Sequence, residues 1–409
     1  MNSKGNLDGE ENREDLTPLE KMIREDASFA LGPLEVLRVT NPAVYPENSP
    51  HVQSGGFERT PGGRIWITWI AGGDNQSAYV MTAWSDDEGL SWTHPKFIIP
   101  NELSPHGIKR SLLTSVLWTD PLGRLWWVFN CSLGSFDGRA GTWYSICDNP
   151  DSNSPRWSVP VRIWHGSSLN RPQVLSDGTW IMGIALWRHS VINGFPGQRW
   201  GFDRFNGNYM RELDPERKSW LFASKDNGRT WQRRGGVAAE KREFEEPSII
   251  ERKDGSLLMY LRTFYGLAET ESFDQGFTWT PARPSKVPNA NARIFTCRLQ
   301  SGRLLMVRHQ RNEANPSARD NLTAYLSEDE AKTWYGGFRF ENRKGVSYPD
   351  GFQHPDGRIF IQYDHGRIDG SLQMSVFTEE DVAAGKVVSD KAVLGRLIMR
   401  TKNYAGDVE

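Results

Sequence analysis

Short apolar segments recur along the chain, and each one directly follows a turn glycine. The segment before each glycine is also apolar and of strand length, so every copy predicts two antiparallel strands joined by a tight turn. The pattern occurs six times, and its turn glycines are Gly63, Gly123, Gly178, Gly255, Gly302 and Gly357. Six copies of one hairpin indicate a repeat architecture.

A second pattern, Ser-x-Asp-x-Gly-x-Ser/Thr-Trp, follows the hairpin in several repeats. Complete copies begin at Ser85, Ser224 and Ser272, and a fourth copy at Ser327 has Ala331 in place of the glycine. The Asp and Ser/Thr side chains of such a motif bond neighbouring backbone amides, while the glycine adopts a conformation that other residues avoid. The motif therefore predicts a turn between two further strands. Four strands in each of six repeats predict an all-β fold, a six-bladed β-propeller.

The regions outside the repeats predict a lead-in and one long insertion. Residues 1–30 are strongly charged and are expected to be partly helical, whereas residues 31–409 are expected to form the propeller. Residues 32–45 are predicted to supply a strand that closes the ring against the last blade. The third repeat carries an aromatic- and arginine-rich insertion at about 187–219. Long insertions in compact domains are often functional, so we expect this one to lie over the central face and shape access to it.

The composition and net charge of the chain limit the classes of molecule that it is expected to bind. The 409 residues carry a net charge of −2, which favours neither a nucleic acid nor a membrane surface, and no apolar run is long enough to cross a bilayer. The N-terminus lacks the apolar core of a secretory signal, so the chain as written is expected in the cytoplasm, or in the periplasm or outside the cell if a signal was removed. Cys131, Cys147 and Cys297 are too scattered for a disulfide framework or a metal site. We expect no metal and no organic cofactor.

The residue nine positions before each turn glycine occupies an equivalent place in every repeat. These residues are Ser54, Thr114, Leu169, Glu246, Arg293 and Tyr348. The innermost strands of a propeller converge on its central axis, so equivalent residues of different blades meet near that axis despite their distance in sequence. A glutamate, an arginine and a tyrosine in such a ring predict a polar pocket at the centre of the molecule.

The Ser-x-Asp-x-Gly motif resembles the Asp-box of sialidases and BNR-repeat proteins, and the resemblance extends to single residues from about residue 50 onward. Asp74 stands eleven residues before the first box serine, and Glu246 precedes the fourth turn. Arg262 ends the next strand, Arg319 begins an Arg-x-Asn-Leu-Thr sequence, and Tyr348 opens the sixth repeat. The resemblance implies that Asp74 is the general acid/base, Tyr348 the nucleophile and Glu246 its base. It also implies that Arg262 and Arg319 bind a substrate carboxylate.

These implied roles suit an acidic sugar. Sialidases are retaining glycosidases whose nucleophile is a tyrosine instead of a carboxylate. A sialic acid carries a carboxylate on its anomeric carbon, and a neutral tyrosine avoids the repulsion that an anionic nucleophile would meet there. Tyrosine is a weak nucleophile near neutral pH and needs an adjacent base. The chain is therefore expected to be an exo-acting glycoside hydrolase that removes a terminal acidic sugar from a glycan.

One position departs from the sialidase pattern. Sialidases carry a first carboxylate-binding arginine in blade one, and alignment on the first turn places Gln53 there. Arg110, Arg171 and Arg293 are candidate replacements, because each lies near the start of an inner strand, and arginine suits a carboxylate. His51, beside Gln53, is a candidate acid or base. The departure widens the expected substrate from sialic acid to related ulosonic or uronic acids.

Two other functions stay open from the sequence. One is a lyase or hydrolase for uronic-acid polysaccharides, which would keep the tyrosine but use Gln53 and His51 differently. The other is a non-catalytic carbohydrate-binding propeller, against which the combination of Asp74, Glu246 and Tyr348 argues. A propeller hosts many functions, so the fold alone does not decide between them. In every case the expected partner is a glycan or oligosaccharide, and the oligomeric state stays open.

Overall fold

The structure is a computed structural model that describes residues 17–134, 136–191, 211–242 and 244–404. Within these ranges the strands form six antiparallel sheets arranged as the blades of a propeller, which confirms the predicted fold class. The insertion predicted at about 187–219 is described only at its two ends, because residues 192–210 lie outside the described ranges.

The first three blades contain fourteen strands. Blade 1 consists of β1 (Leu37–Arg38), β2 (Val52–Arg59), β3 (Ile65–Ala71), β4 (Tyr79–Ser85) and β5 (Phe97–Ile99). Blade 2 consists of β6 (Glu102–Leu103), β7 (Lys109–Thr119), β8 (Leu125–Leu133), β9 (Gly141–Cys147) and β10 (Val161–Trp164). Blade 3 consists of β11 (Gln173–Val174), β12 (Trp180–Ala185), β13 (Ser219–Ser224) and β14 (Gln232–Val237).

The last three blades each contain four strands in chain order. Blade 4 consists of β15 (Ser248–Glu251), β16 (Leu257–Thr263), β17 (Gly266–Ser272) and β18 (Arg283–Pro284). Blade 5 consists of β19 (Phe295–Arg298), β20 (Leu304–His309), β21 (Asp320–Ser327) and β22 (Tyr335–Lys344). Blade 6 consists of β23 (Val346–Gln353), β24 (Ile359–His365), β25 (Ser371–Phe377) and β26 (Val393–Arg400).

The Asp-box motifs form turns after the third main strand of their blades, as predicted. In the first box the Gly89 amide donates to Ser85 Oγ at 2.8 Å, and the Ser91 amide donates to Asp87 Oδ1 at 2.9 Å. The fourth box keeps the same bonds although Ala331 replaces the glycine. Ala331 adopts a φ of 67°, a left-handed conformation that glycine adopts more easily.

The predicted closing strand is wrong in its pairing. The segment 32–45 does contribute a strand, β1, but β1 pairs with β5 at the outer edge of blade 1 and not with the last blade. Blade 6 is built from one continuous stretch of chain, so it needs no strand from the N-terminus. The ring closes instead through bonds between blades 1 and 6. One of them runs from the Val52 amide to the Arg367 carbonyl at 2.9 Å.

Apolar side chains fill the space between neighbouring blades. The tryptophans Trp66, Trp126 and Trp127 are completely buried there, so these large rings serve the core. Cys131 and Cys147 are also buried, and no cysteine of the described chain forms a disulfide.

The helices are few and peripheral. The helix α1 (Pro18–Ala30) begins at a capping box in which Thr17 and Glu20 bond each other's backbone amides, and α2 (Glu379–Ala384) connects β25 to β26. Short 3-10 helices span Pro42–Val44, Pro46–Asn48, His189–Val191 and Arg211–Glu216. Neither α-helix of the described residues has the length and apolar character that crossing a bilayer requires.

Candidate active site

Two parts of each blade meet at the same end of the propeller: the beginning of its first main strand, and the connection between its second and third main strands. In blade 1 the start of the first main strand pairs with the end of the second, as Val52 does with Ala71. The connection from the second to the third main strand therefore leaves from the end at which the first strand begins. Each of these six connections, or the strand end beside it, contributes one residue to a single pocket: Asp74, Phe136, Trp187, Arg262, Arg319 and Arg367.

The inner strands and the segments that precede them complete the pocket. Their lining residues are Gln53, Leu113, Thr114, Leu169, Phe244, Glu246 and Tyr348. The open space between the walls is about 470 Å³. Six residues predicted for the site from the sequence line this pocket: Gln53, Asp74, Glu246, Arg262, Arg319 and Tyr348.

Tyr348, Glu246 and Arg262 form a buried hydrogen-bonded cluster. Tyr348 Oη donates to Glu246 Oε1 at 2.8 Å, and Arg262 Nη1 donates to the same carboxylate oxygen at 2.8 Å. Arg262 Nη1 also lies 3.3 Å from Tyr348 Oη. Burial and the Glu246 charge raise the pKa of Tyr348 above its ordinary value, so the phenol is neutral in the resting site. The carboxylate is placed to accept the phenolic proton, and the guanidinium is placed to stabilise a phenolate.

Two further arginines lie over the Tyr348 ring. The guanidinium carbons of Arg367 and Arg319 are 4.5 and 5.4 Å from the ring centroid. Both side chains also donate to Ser347 Oγ, Arg319 at 2.9 Å and Arg367 at 3.4 Å. Burial and the neighbouring Arg367 and Arg262 lower the pKa of Arg319 to about 10. In the described part of the chain, no carboxylate lies within ion-pairing distance of Arg319.

Asp74 lies at the edge of the pocket on the connection between β3 and β4. Its Oδ2 is 3.3 Å from Arg367 Nη1, and its side chain is 33% exposed, so a molecule in the pocket has access to the carboxyl group. His51 does not line the pocket. It is buried near Asp74 and Arg367, and its Nε2 has no hydrogen-bond partner among the described residues. Burial lowers the pKa of His51 to about 4. The imidazole is therefore neutral near pH 7.

Three aromatic rings form another part of the lining. Phe136, Trp187 and Phe244 contact each other with ring centroids 5.0 to 5.5 Å apart. Trp187 stands at the beginning of the insertion, where its Nε1 donates to the Glu245 carbonyl at 2.8 Å and its own carbonyl accepts a bond from Arg217. The insertion thus contributes to the pocket through its first residue.

Arg110 is not a pocket residue. It donates to the carbonyls of Phe29, Gly32 and Pro33 and pairs with Glu102, so it attaches the end of α1 to blade 2. The sequence position before an inner strand suggested a ligand, but the N-terminal segment already occupies its donors.

Arg171 and Arg293 lie along the axis but outside this pocket. Arg171 pairs with Glu58 at 2.6 Å and with Asp350 at 3.2 Å, and it donates to two backbone carbonyls. Arg293, 2% exposed, pairs with Asp350 at 3.3 Å and lines a smaller cavity that shares Gln53 and Tyr348 with the pocket. Both arginines are therefore held by carboxylates of the protein itself.

Arg367 and the aromatic trio were not predicted from the sequence. The ring positions considered there precede the turn glycines, whereas Arg367, Phe136 and Trp187 follow the second strand of their hairpins. Asp74 follows the second strand of blade 1 in the same way. Inspection of that one connection in every repeat would have found Arg367, Phe136 and Trp187, whereas Phe244 precedes the inner strand of blade 4.

No curated protein sequence matches the chain, whereas its structure is similar to several solved propellers. A protein of unknown function from Dyadobacter fermentans superimposes with a TM-score of 0.58 at 15% identity, covering 84% of this chain and 97% of that one. The intramolecular trans-sialidase from Ruminococcus gnavus gives a TM-score of 0.59 at 12% identity, with 85% and 98% covered. The sialidase of Trypanosoma rangeli gives 0.58 at 13% identity, with 81% and 56% covered.

At these identities the structural similarity establishes the fold alone. The sequence adds the family, because residues 63–361, well over half of the chain, match the family described as BNR repeat-like domain. The chain therefore belongs to the BNR repeat-like domain family.

Proposed function

We propose that this protein is a retaining, exo-acting glycoside hydrolase that releases a terminal acidic sugar, a sialic acid or a related ulosonic or uronic acid, from a glycan. The observation that carries the proposal is the 2.8 Å bond between Tyr348 Oη and Glu246 Oε1 at the base of an arginine-rich pocket. A tyrosine bonded to a carboxylate is an activated nucleophile, which a protein that only binds glycans does not need.

The charge balance of the pocket supports an anionic substrate. Arg262 is bonded to Glu246, and Arg367 is paired with Asp74 and with Asp364. Arg319 has only the Ser347 hydroxyl as a polar partner among the described residues. Arg319 is partly buried, and a charge withdrawn from water without a counter-ion is costly. A substrate carboxylate beside Arg319 and Arg367 supplies the counter-ion that Arg319 lacks, through bonds that arginine makes well.

The catalytic steps follow from this arrangement. Tyr348 Oη attacks the anomeric carbon and passes its proton to Glu246, while Asp74 protonates the departing glycosidic oxygen. Arg262 stabilises the charge that develops on the phenolic oxygen. In the second step Asp74 accepts a proton from water, water attacks the anomeric carbon, and the bond to Tyr348 breaks, with the phenolic proton returning from Glu246. Acid/base assistance of this kind typically contributes about 10²–10⁴-fold.

Arg367 takes the place of the arginine that Gln53 replaces. Its guanidinium lines the same pocket and lies over the Tyr348 ring, although it comes from blade 6 and not from blade 1. The pocket thus carries three arginines, and the neutral Gln53 side chain contributes hydrogen-bonding atoms beside them.

The test is release of the sugar from aryl glycosides of sialic acid, other ulosonic acids and uronic acids. We expect Tyr348→Phe to reduce turnover by at least about 10³-fold, because it removes the nucleophile of a covalent mechanism. Tyr363→Phe is the matched control, since Tyr363 is a fully buried tyrosine of the same blade whose Oη contacts Ser375 away from the pocket. It should turn over normally.

The stereochemistry of the reaction and the identity of its product distinguish the proposed hydrolase from a lyase and from a non-catalytic carbohydrate-binding propeller. NMR of the first-formed sugar should show retention at the anomeric carbon, and inversion would contradict the tyrosine mechanism. An unsaturated uronide would identify a lyase. Binding of an acidic glycan without turnover of any substrate would identify a carbohydrate-binding propeller.

A further inference from the structure

Tyr348 has a strained backbone. Its φ is 49°, in the left-handed region, which is a genuine outlier for a bulky aromatic residue. It lies where the pairing of β23 with β24 shifts in register between Ser347 and Asp350. Such a bulge re-aims a side chain, and strain of this kind persists only where surrounding groups hold it.

One hydroxyl of the neighbouring blade bonds directly to this strained residue. Ser54 Oγ, on β2, donates to the Tyr348 carbonyl at 2.9 Å. Ser54 is 2% exposed and stands at the ring position of blade 1 that Tyr348 occupies in blade 6. It does not line the main pocket, so a bound sugar has no contact with it there.

Two side chains of blade 6 hold Ser54 itself. Gln362 Nε2 donates to Ser54 Oγ at 2.8 Å, so the hydroxyl proton is left to point at the Tyr348 carbonyl. The Ser54 amide donates to Asp364 Oδ2 at 3.0 Å. Gln362 and Asp364 are completely buried, and the same Asp364 oxygen lies 3.6 Å from Arg367 Nε.

We propose that Ser54 is a positioning residue, which holds the strained Tyr348 backbone so that the phenol stays against Glu246 and Arg262. Asp364 fixes Ser54 and faces Arg367, so one buried carboxylate supports both the nucleophile and an arginine of the pocket. The proposal rests on the role of Tyr348 given above. It gives blade 1 a contribution to catalysis that is separate from the residues proposed to bind the sugar.

The kinetic test compares Ser54→Ala with wild type on the best acidic aryl glycoside. We expect kcat to fall by about 10²-fold, because a shift of about 1 Å in a reacting group costs that much. KM should change by less than about threefold, since Arg319 and Arg367 keep their places. Ser54→Thr keeps the hydroxyl and should restore most of kcat. Thr114, at the ring position of blade 2, donates to the Ser168 carbonyl, so a threonine hydroxyl makes the same kind of bond at the equivalent position.

A matched control separates positioning from a general loss of stability. Ser145 is a fully buried serine of blade 2 whose Oγ donates to the Ser158 carbonyl at 2.6 Å, and it lies outside the pocket. Ser145→Ala removes the same kind of bond and should keep the kcat of wild type. An equal fall in kcat in both alanine variants, or no rescue by Ser54→Thr, overturns the proposal.

A crystal structure of Ser54→Ala tests the inference even without turnover. We expect residue 348 to relax toward negative φ and Tyr348 Oη to leave its 2.8 Å contact with Glu246. An unchanged backbone and contact would overturn the positioning role whatever the substrate is. Absence of turnover in wild type, or turnover that survives Tyr348→Phe, counts instead against the proposed function.

Discussion

Two groups of arginines lie along the axis of this propeller, and their surroundings differ. The lower pair, Arg171 and Arg293, shares the buried carboxylate of Asp350, and Arg171 also has Glu58. Burial alone would lower the pKa of Arg171, but the negative charges of Asp350 and Glu58 raise it.

The upper trio, Arg262, Arg319 and Arg367, surrounds a neutral tyrosine. Two of its nearby carboxylates, Glu246 and Asp74, are needed for chemistry under the proposed mechanism, and the third, Asp364, lies 3.6 Å from Arg367 Nε. The pKa of Arg319 is lowered, whereas that of Arg171 is raised, because burial dominates where carboxylate partners are lacking. Arg319 therefore differs from Arg171 in the acceptors around it, whereas Arg262 and Arg367 have carboxylate partners and raised pKa values as Arg171 does.

The largest expected effect is the loss of stability in Arg171→Met. Removing this guanidinium leaves Glu58 and Asp350 buried with one arginine fewer, and breaking a buried pair typically costs about 3–5 kcal/mol. Urea denaturation should show this loss in the free energy of unfolding. Arg303→Met is the control, because Arg303 pairs with Glu328 and Glu379 at the surface, where such pairs contribute about 0–1 kcal/mol. Similar losses in the two variants would remove the distinction between the lower pair and ordinary ion pairs.

Sequence reasoning worked where the signal is local. Turn glycines and Asp-boxes depend on a few neighbouring residues, so they predicted the six blades and the turns. Resemblance to sialidases singled out Asp74, Glu246 and Tyr348, and the structure brings these three residues together in one pocket, while their roles stay a prediction. The roles of Arg110 and Arg171 depend on acceptors far away in sequence, such as the Phe29 carbonyl and Asp350, which no local pattern reveals. Arg367 was missed because its loop carries no motif and reaches the pocket only through the ring closure of blades 1 and 6.

The second-largest expected effect on stability comes from the protonation of Glu58. Burial, against the opposing effect of Arg171, raises the pKa of Glu58 from 4.5 to about 7. Between these values the folded state holds a proton that the unfolded chain has released. The stabilising contribution of this proton is complete below pH 4.5 and is lost as the pH rises through 7. A shift of this size corresponds to about 3 kcal/mol.

Glu58→Gln should remove this pH dependence. Relative to wild type, the variant should gain about 3 kcal/mol in free energy of unfolding as the pH rises from about 4.5 to 8. Denaturation of both proteins across that range measures the difference and cancels the titration of all other groups. A relative loss of the variant with rising pH would mean that the Glu58 carboxylate stabilises Arg171 as a net favourable pair.

The smallest effect in free energy, and the one most specific to the upper trio, is that of Arg319→Met. This change removes one charged partner of the substrate carboxylate, so kcat/KM on the acidic glycoside should fall by about 10- to 100-fold, the range of about 1.5–3 kcal/mol for a hydrogen bond to a charged group. The free energy of unfolding should change by less than about 1 kcal/mol, because the arginine has no carboxylate partner to leave behind.

Arg308→Met is the matched control. Arg308 is a buried arginine of the same blade that lies over the Tyr325 ring and donates to the His309 carbonyl, outside the pocket. It should leave kcat/KM unchanged. A large loss of stability in Arg319→Met with normal kcat/KM would place Arg319 with the lower pair, and the unpaired charge of Arg319 would no longer argue for an acidic substrate.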